Sequence, residues 1–297
     1  MRLPAGPAFA CRFPAVPQAV KFKTQKPGHT KLPIISATGH TSAVLGLPDN
    51  LVFLGRVQKN LMARGAAIFT CHKIGAPPKN CRDPFLYTKV DEFDRQLTAL
   101  REIGFQSVRL GEIIPPGNSS AGKFVITFDD GFRNVLDLGL EILARHQIPA
   151  IQFIVSDFIG KQNEWDIAKG DSAEPLMDAA QIKQWLAAGH EIGSHSATHR
   201  NLKQLNAADA REEIAASKKA LEDKFGVEVR HFCYPFGGWT PQTRDLVVEA
   251  GYQTACTVEF GVIDAKSDPF TLQRIIPLSR ADLTRKMIHR LARKAGL

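Results

Sequence analysis

Two short polar runs in this 297-residue chain carry the side-chain types of a hydrolytic centre: Thr127-Phe128-Asp129-Asp130-Gly131 and His195-Ser196-Ala197-Thr198-His199. One aspartate and two histidines make a ligand set for a divalent cation, which leaves the other aspartate free to handle a proton. Adjacent carboxylates behind an apolar run raise each other's pKa unless something positive sits nearby. The histidines stand four apart, a spacing that turns both imidazoles toward one ion when the residues between them coil helically. Singly, each run has an ordinary reading, Asp-Asp-Gly as a solvated turn or helix start and the histidine pair as an exposed loop. Their joint occurrence at strand ends is what points to a metal site.

The flanking pattern supplies those strands. Phe124-Val125-Ile126-Thr127-Phe128 reads as a buried strand with the aspartates at its carboxyl end, and Glu191-Ile192-Gly193-Ser194-His195 as a short strand delivering the first histidine. Upstream, Ala66-Ala67-Ile68-Phe69-Thr70 reads as the first strand of the main domain and leads into Cys71-His72-Lys73. Thr88-Lys89-Val90-Asp91 has the form of a capping box, and Phe93, Leu97, Leu100 and Ile103 predict a helix over 90–103 that stops at Gly104. Further along, a helical pattern runs from Val135 through Leu143, a strand over Ile151 to Val155, and a helix carrying Ile182, Trp185 and Leu186 closed by Gly189. A long helix is predicted over 207–224, with Asn206 as N-cap and Ile214, Leu221 and Phe225 turned inward. A strand over Arg230 to Tyr234, a helix over Pro241 to Ala250 and a strand over Thr254 to Val258 continue the alternation. That repetition predicts an α/β protein with a parallel sheet, open or closed into a barrel, whose chemistry sits at the carboxyl ends of its strands.

Composition narrows the class. Hydrophobic residues make up 44% of the chain, ample for a core, yet no apolar stretch reaches the roughly 18–20 residues that cross a bilayer. The amino terminus loosely resembles an export signal but is broken by Pro4 and Pro7, and the five cysteines are scattered without paired spacing. These features favour the cytoplasm and leave an extracytoplasmic location open. A net charge of +8 is spread along the chain without a nucleic-acid-binding motif, so no nucleic-acid partner is expected. Residues 1–62, with Pro14, Pro17, Pro27 and Pro33, read as an irregular extension. Residues 281–297 read as a basic amphipathic helix, with Leu283, Met287, Ile288 and Leu291 ringed by Arg285, Lys286, Arg290, Arg293 and Lys294. Such a helix packs on the main domain or touches an anionic membrane or glycolipid surface.

The two polar runs, together with Cys71-His72-Lys73-Ile74 upstream and Phe232-Cys233-Tyr234-Pro235-Phe236-Gly237 downstream, resemble the polysaccharide deacetylases of carbohydrate esterase family four. The order and spacing match over residues 67–280, so a catalytic domain is expected over 63–280. The resemblance implies a distorted (β/α) barrel and a metal-dependent hydrolase that removes N-acetyl groups from amino sugars of a polysaccharide, oligosaccharide or glycan precursor. It makes Asp129 the general base and Asp130, His195 and His199 the ligands of a divalent metal ion, zinc foremost. It also sets a backbone amide, here that of Phe236, beside the oxyanion, although Pro235-Phe236-Gly237 reads equally well as a plain turn. His72, Trp165, Tyr234, Pro235 and Arg274 are the residues expected to line the substrate pocket, with Trp239 as a further stacking face.

The chain also departs from the pattern. The family's arginine two residues before the proline, which orients the base, is replaced by Cys233, and Arg230 lies too far back to stand in by counting. The late Leu-x-His, whose histidine protonates the leaving amine, has no match over 272–280. The Tyr-Pro-Phe-Gly form resembles a branch that deacetylates poly-N-acetylglucosamine or other surface glycans and often lacks that arginine. The two losses motivate an alternative, a glycan-binding protein that kept the pocket and lost catalysis.

Overall fold

The structure is a computed structural model that describes residues 65–113 and 121–276. Its strands are β1 (Ala67–Cys71), β2 (Lys73–Ile74), β3 (Tyr87–Thr88), β4 (Gln106–Ser107), β5 (Lys123–Phe128), β6 (Ala150–Ile154), β7 (Glu191–Ser194), β8 (His231–Cys233), β9 (Thr254–Phe260) and β10 (Leu272–Arg274). All pairings in the main sheet are parallel, in the order β1-β5-β6-β7-β8-β9-β10, with β4 beside the start of β5. The sheet curls until its two ends meet: Thr70 donates its N–H to Ile275 O at 3.0 Å, and Ile275 donates to Ile68 O at 2.7 Å. The result is a nearly closed parallel barrel: of the open and closed sheets that the alternation allowed, it is the closed one, as the family resemblance implied. Between the strands lie α1 (Val90–Glu102), α2 (Leu140–His146), α3 (Glu164–Ile167), α4 (Ala179–Ala187), α5 (Ala207–Phe225) and α6 (Pro241–Glu249).

The period-two alternation of a strand explains both the core and the site. Ala67, Phe69 and Cys71 of β1, and Phe124, Ile126 and Phe128 of β5, join the larger apolar cluster with helix residues such as Phe93, Leu97, Ile142 and Trp185. Ile68, Val125, Ile151, Phe153, Cys233 and Leu272 form a second cluster, the filling of the barrel. Continuing that inner face toward the carboxyl ends gives Thr70 and His72 from β1, Thr127 and Asp129 from β5, and Arg274 from β10. The barrel is therefore apolar at one end and polar at the other. Ala66 and Ile263 exchange two backbone hydrogen bonds of 2.8 Å near the apolar end.

Local chemistry sets the element ends. Asn206 caps α5 by accepting from the Asp209 N–H, as expected, and Asp178 with Gln181 forms a capping box on α4. The box expected at Thr88-Lys89-Val90-Asp91 does not form, since the N-cap of α1 is Lys89 without a side-chain hydrogen bond. The helix predicted from Val135 opens instead as a π turn over Val135–Gly139 before α2 begins. Among the described residues no helix is long and apolar enough to cross a membrane. The domain limits at 62/63 and 280/281, the extension and the basic carboxyl-terminal helix lie outside the described residues.

Candidate functional site

Asp129 and Asp130 stand one and two residues beyond the end of β5, and the chain turns there because Asp130 adopts a left-handed conformation, φ 73°. That reversal sends the neighbouring carboxylates to different partners. Asp129 follows the inner face of β5 and meets Arg274, which donates Nη1–H to Oδ1 at 2.8 Å and Nη2–H to Oδ2 at 2.7 Å. The same guanidinium donates to Thr257 O at 2.7 Å and to Cys233 Sγ at 3.2 Å. Burial alone would raise the Asp129 carboxyl, but the Arg274 charge and its hydrogen bonds outweigh that and hold it at about 2.

Asp130 faces the histidines. Its Oδ1 lies 3.3 Å from His195 Nε2 and 3.1 Å from His199 Nε2, and all three side chains are buried. His195 Nδ1 is 2.8 Å from Cys233 O; a carbonyl only accepts, so Nδ1 carries the hydrogen and Nε2 of the neutral ring turns a lone pair toward Asp130. Acceptors converging in this way need a cation between them, either a proton or a metal. Without a metal the proton goes to His195: burial opposes it, but Cys233 and Asp130 together push that imidazole well above its ordinary range. Burial likewise works against charge on Asp130, and the two histidines hold its carboxyl well below its ordinary range. One carboxylate oxygen and two imidazole nitrogens within 4.8 Å of one another make a donor set that fits a divalent metal ion.

A second convergence, Asp129, His195 and Cys233, fits less well. Its carboxylate already holds a guanidinium, and burial pushes the Cys233 thiol up to about 11, so no thiolate is on offer.

A cavity of about 300 Å³ opens over these groups. Of the residues expected at the site, Asp129, Asp130, His195, His199, His72, Trp165, Tyr234 and Phe236 line it. Pro235 and Arg274 do not. The expectation that Arg274 faces substrate is therefore corrected: it is 1% exposed, behind Asp129, with its donors turned to protein acceptors. His72 Nε2 lies 3.8 Å from Asp129 Oδ2 with its ring partly exposed to the cavity. Trp165 lies against the His199 ring at 4.3 Å between centroids, and Phe236 meets the same ring edge-on at 4.6 Å. Trp239 instead reaches Glu259 through its indole N–H.

The coil expected between the histidines is absent. Residues 195–199 form an irregular loop in which Ser196 and His199 are left-handed, φ 63° and 62°. Phe236 is left-handed too, φ 58°, in a turn whose backbone bonds run from Gly237 to Tyr234 and from Gly238 to Pro235 without using the Phe236 N–H. Of the five non-glycine residues with positive φ among those described, four belong to this site, and Gln147 ends a helix. Such strain concentrates where a fold must aim groups that its regular elements cannot.

Sequence reasoning missed one wall of the cavity, formed by Arg82, Asp83, Asp166, Lys169 and Asp171. Arg82 ties two loops together, donating its N–H to Asp171 Oδ1 at 2.7 Å and its guanidinium to Lys169 O at 2.6 Å. Lys169 Nζ sits 4.2 Å above the Phe236 ring. Neither segment carries apolar periodicity, and Trp165, in the one-turn helix α3, was the one residue in them that stood out.

The family model for polysaccharide deacetylases matches residues 116–255. A chitooligosaccharide deacetylase of Bradyrhizobium sp. (strain ANU 289) is 26% identical over 135 residues, 45% of this chain and 54% of the relative. A poly-β-1,6-N-acetyl-D-glucosamine N-deacetylase of Staphylococcus aureus (strain MRSA252) is 23% identical over 193 residues, 62% of this chain and 66% of the relative. The solved structure of the Streptococcus pyogenes deacetylase PplD in complex with acetate superposes with a TM-score of 0.61 at 20% identity, covering 75% of this chain and 97% of that one. At that identity the likeness concerns the fold. The chain spans less than two thirds of the length of the curated relatives it matches.

Proposed function

We propose that the chain, which the polysaccharide deacetylase family model matches over residues 116–255, is a metal-dependent hydrolase of that family that removes N-acetyl groups from amino sugars of a glycan. The observation that carries the reading is the division of labour between neighbours: Asp130 shares a buried point with two histidine nitrogens, while Asp129 is held apart by Arg274. In this reading Asp130, His195 and His199 hold the ion, and zinc suits their oxygen and nitrogen donors. When bound, the cation supplies Lewis-acid polarisation to the acyl oxygen and to water.

The chain's own groups supply the rest. Asp129, kept ionised by Arg274, takes a proton from the attacking water as its oxygen bonds to the acetyl carbon. The Phe236 N–H, unused within its own turn, donates to the developing oxyanion. As the carbon–nitrogen bond breaks, the amine needs a proton. His72 is the cavity-lining imidazole outside the ligand set, 3.8 Å from Asp129 Oδ2, and in this reading it supplies that proton to the leaving nitrogen. Trp165 and Phe236 give the sugar apolar faces, whereas Tyr234 is fully buried. Arg274 meets Asp129 from β10, which removes one motive for the glycan-binding alternative, since an arginine does partner the base.

Acetate release from N-acetylglucosamine oligomers by metal-loaded protein tests the reading. Asp129→Asn is expected to keep the metal and to lose roughly 10²–10⁴-fold in rate. Equal activity of wild type and variant would dismiss Asp129 as the base, and inert wild type that still binds oligomers would favour the non-catalytic alternative.

A further inference from the structure

The two histidines are aimed by different means. His195 directly follows β7, and its second ring nitrogen is tied to Cys233 O. His199 has neither support: it lies in the irregular loop, and its buried Nδ1 finds no hydrogen-bond partner among the described residues. A metal-binding imidazole is ordinarily oriented through that second nitrogen. For His199 the backbone must do it, and that backbone is unfavourable, because φ at Ser196 and His199 is left-handed, where a Cβ crowds the following carbonyl oxygen.

Ser156 and Asp157 donate their backbone N–H groups to Ser196 O at 3.2 Å and Ala197 O at 3.0 Å, and from α5 a single residue grips the stretch that leads to His199. Glu213 accepts the Thr198 N–H on Oε2 at 2.9 Å and the Thr198 hydroxyl on Oε1, and its backbone carbonyl accepts the Ala197 N–H at 3.1 Å. Within the loop, Ser196 Oγ accepts the His199 N–H at 3.0 Å. Glu213 is 5% exposed, and no ion pair with it is found among the described residues. A buried carboxylate is costly unless hydrogen bonds satisfy it, and an alanine or leucine would serve the inner face of the helix at no such cost. The carboxylate therefore answers a need of the loop.

We infer that Glu213 is a positioning residue for the metal site: by gripping both donors of Thr198 it locks the loop in the one conformation that presents His199 Nε2 to Asp130. The inference rests on the metal-binding role proposed above for Asp130, His195 and His199. It makes metal affinity depend on a helix residue that touches neither ion nor substrate.

Titration of metal-free protein with Co²⁺, read by the visible absorption of the bound ion, provides the test. Glu213→Gln keeps size and helix but turns an amide N–H toward a donor, and it is expected to weaken Co²⁺ binding by roughly 10–100-fold. Thr198→Val, which removes only the hydroxyl, is expected to lose less, and it carries the test should the glutamine variant fail to fold. Leu221→Ala removes buried apolar volume from the same helix away from the loop, so it should lower thermal stability while leaving Co²⁺ affinity unchanged. Unaltered affinity in the Glu213 and Thr198 variants, or an equal loss in Leu221→Ala, overturns the inference while the metal site stands. Wild-type protein that binds no Co²⁺ overturns both.

Discussion

Asp129 and Arg274 form a buried bidentate pair, the arrangement in which a guanidinium is hardest to replace. Arg274→Gln leaves a buried carboxylate without its cation, and urea unfolding should show a loss of about 3–5 kcal/mol. Arg274→Lys keeps the charge but not the fork and should fall between the two. His72→Asn is expected to slow acetate release by roughly 10²–10⁴-fold with metal stoichiometry intact; an unchanged rate would exclude His72 as the proton donor. The sequence reading found no arginine for the base and placed Arg274 in the substrate pocket instead. Counting back from Pro235 led to Cys233, and Cys233 Sγ does lie 3.2 Å from a guanidinium nitrogen. The arginine enters from β10, two strands along from Cys233 on β8, a substitution that counting along one segment cannot reveal.

Among the elements, the legible ones were those with an unbroken apolar run or a clear helical face: β5, β6 and α5 fall within a residue or two of their predicted limits. β10 was illegible because Leu272-Gln273-Arg274 has too few residues to show a pattern. The loop over 195–199 was misjudged because i,i+4 spacing suggests a helix, whereas the histidines converge through two left-handed residues. The wall built on Arg82 and Asp171 depends on hydrogen bonds between distant loops, which leave no periodicity behind. Close approach between strands offers a test at this scale. A Cβ on Gly193 would meet the Phe153 ring at 2.5 Å and His231 O at 2.9 Å, so Gly193→Ala should destabilise the protein by roughly 1–3 kcal/mol in urea unfolding. An unperturbed midpoint would mean that β7 and β8 stand further apart than described.

For the molecule as a whole, the barrel and its site are coupled through the ion the site is proposed to hold. A cation that binds only the folded state adds about 2.7 kcal/mol when present at a hundred times its dissociation constant. Treatment with a chelator should therefore lower the melting temperature and abolish acetate release, and returning Zn²⁺ should restore both; a melting temperature indifferent to chelator would argue against the bound ion. The closure of the barrel has a further consequence, for the order in which the site comes into being. A chain made from its amino end possesses Asp130, His195 and His199 once residue 199 has been added, but Arg274 only after all of 200–273 has followed. Since β10 is also the strand that meets β1, Asp129 acquires its partner in the same event that seals the barrel. The three ion-holding side chains are thus made before their own supports, Glu213 and Cys233, and those before Arg274, so the last of these strands completes a site whose other parts already exist.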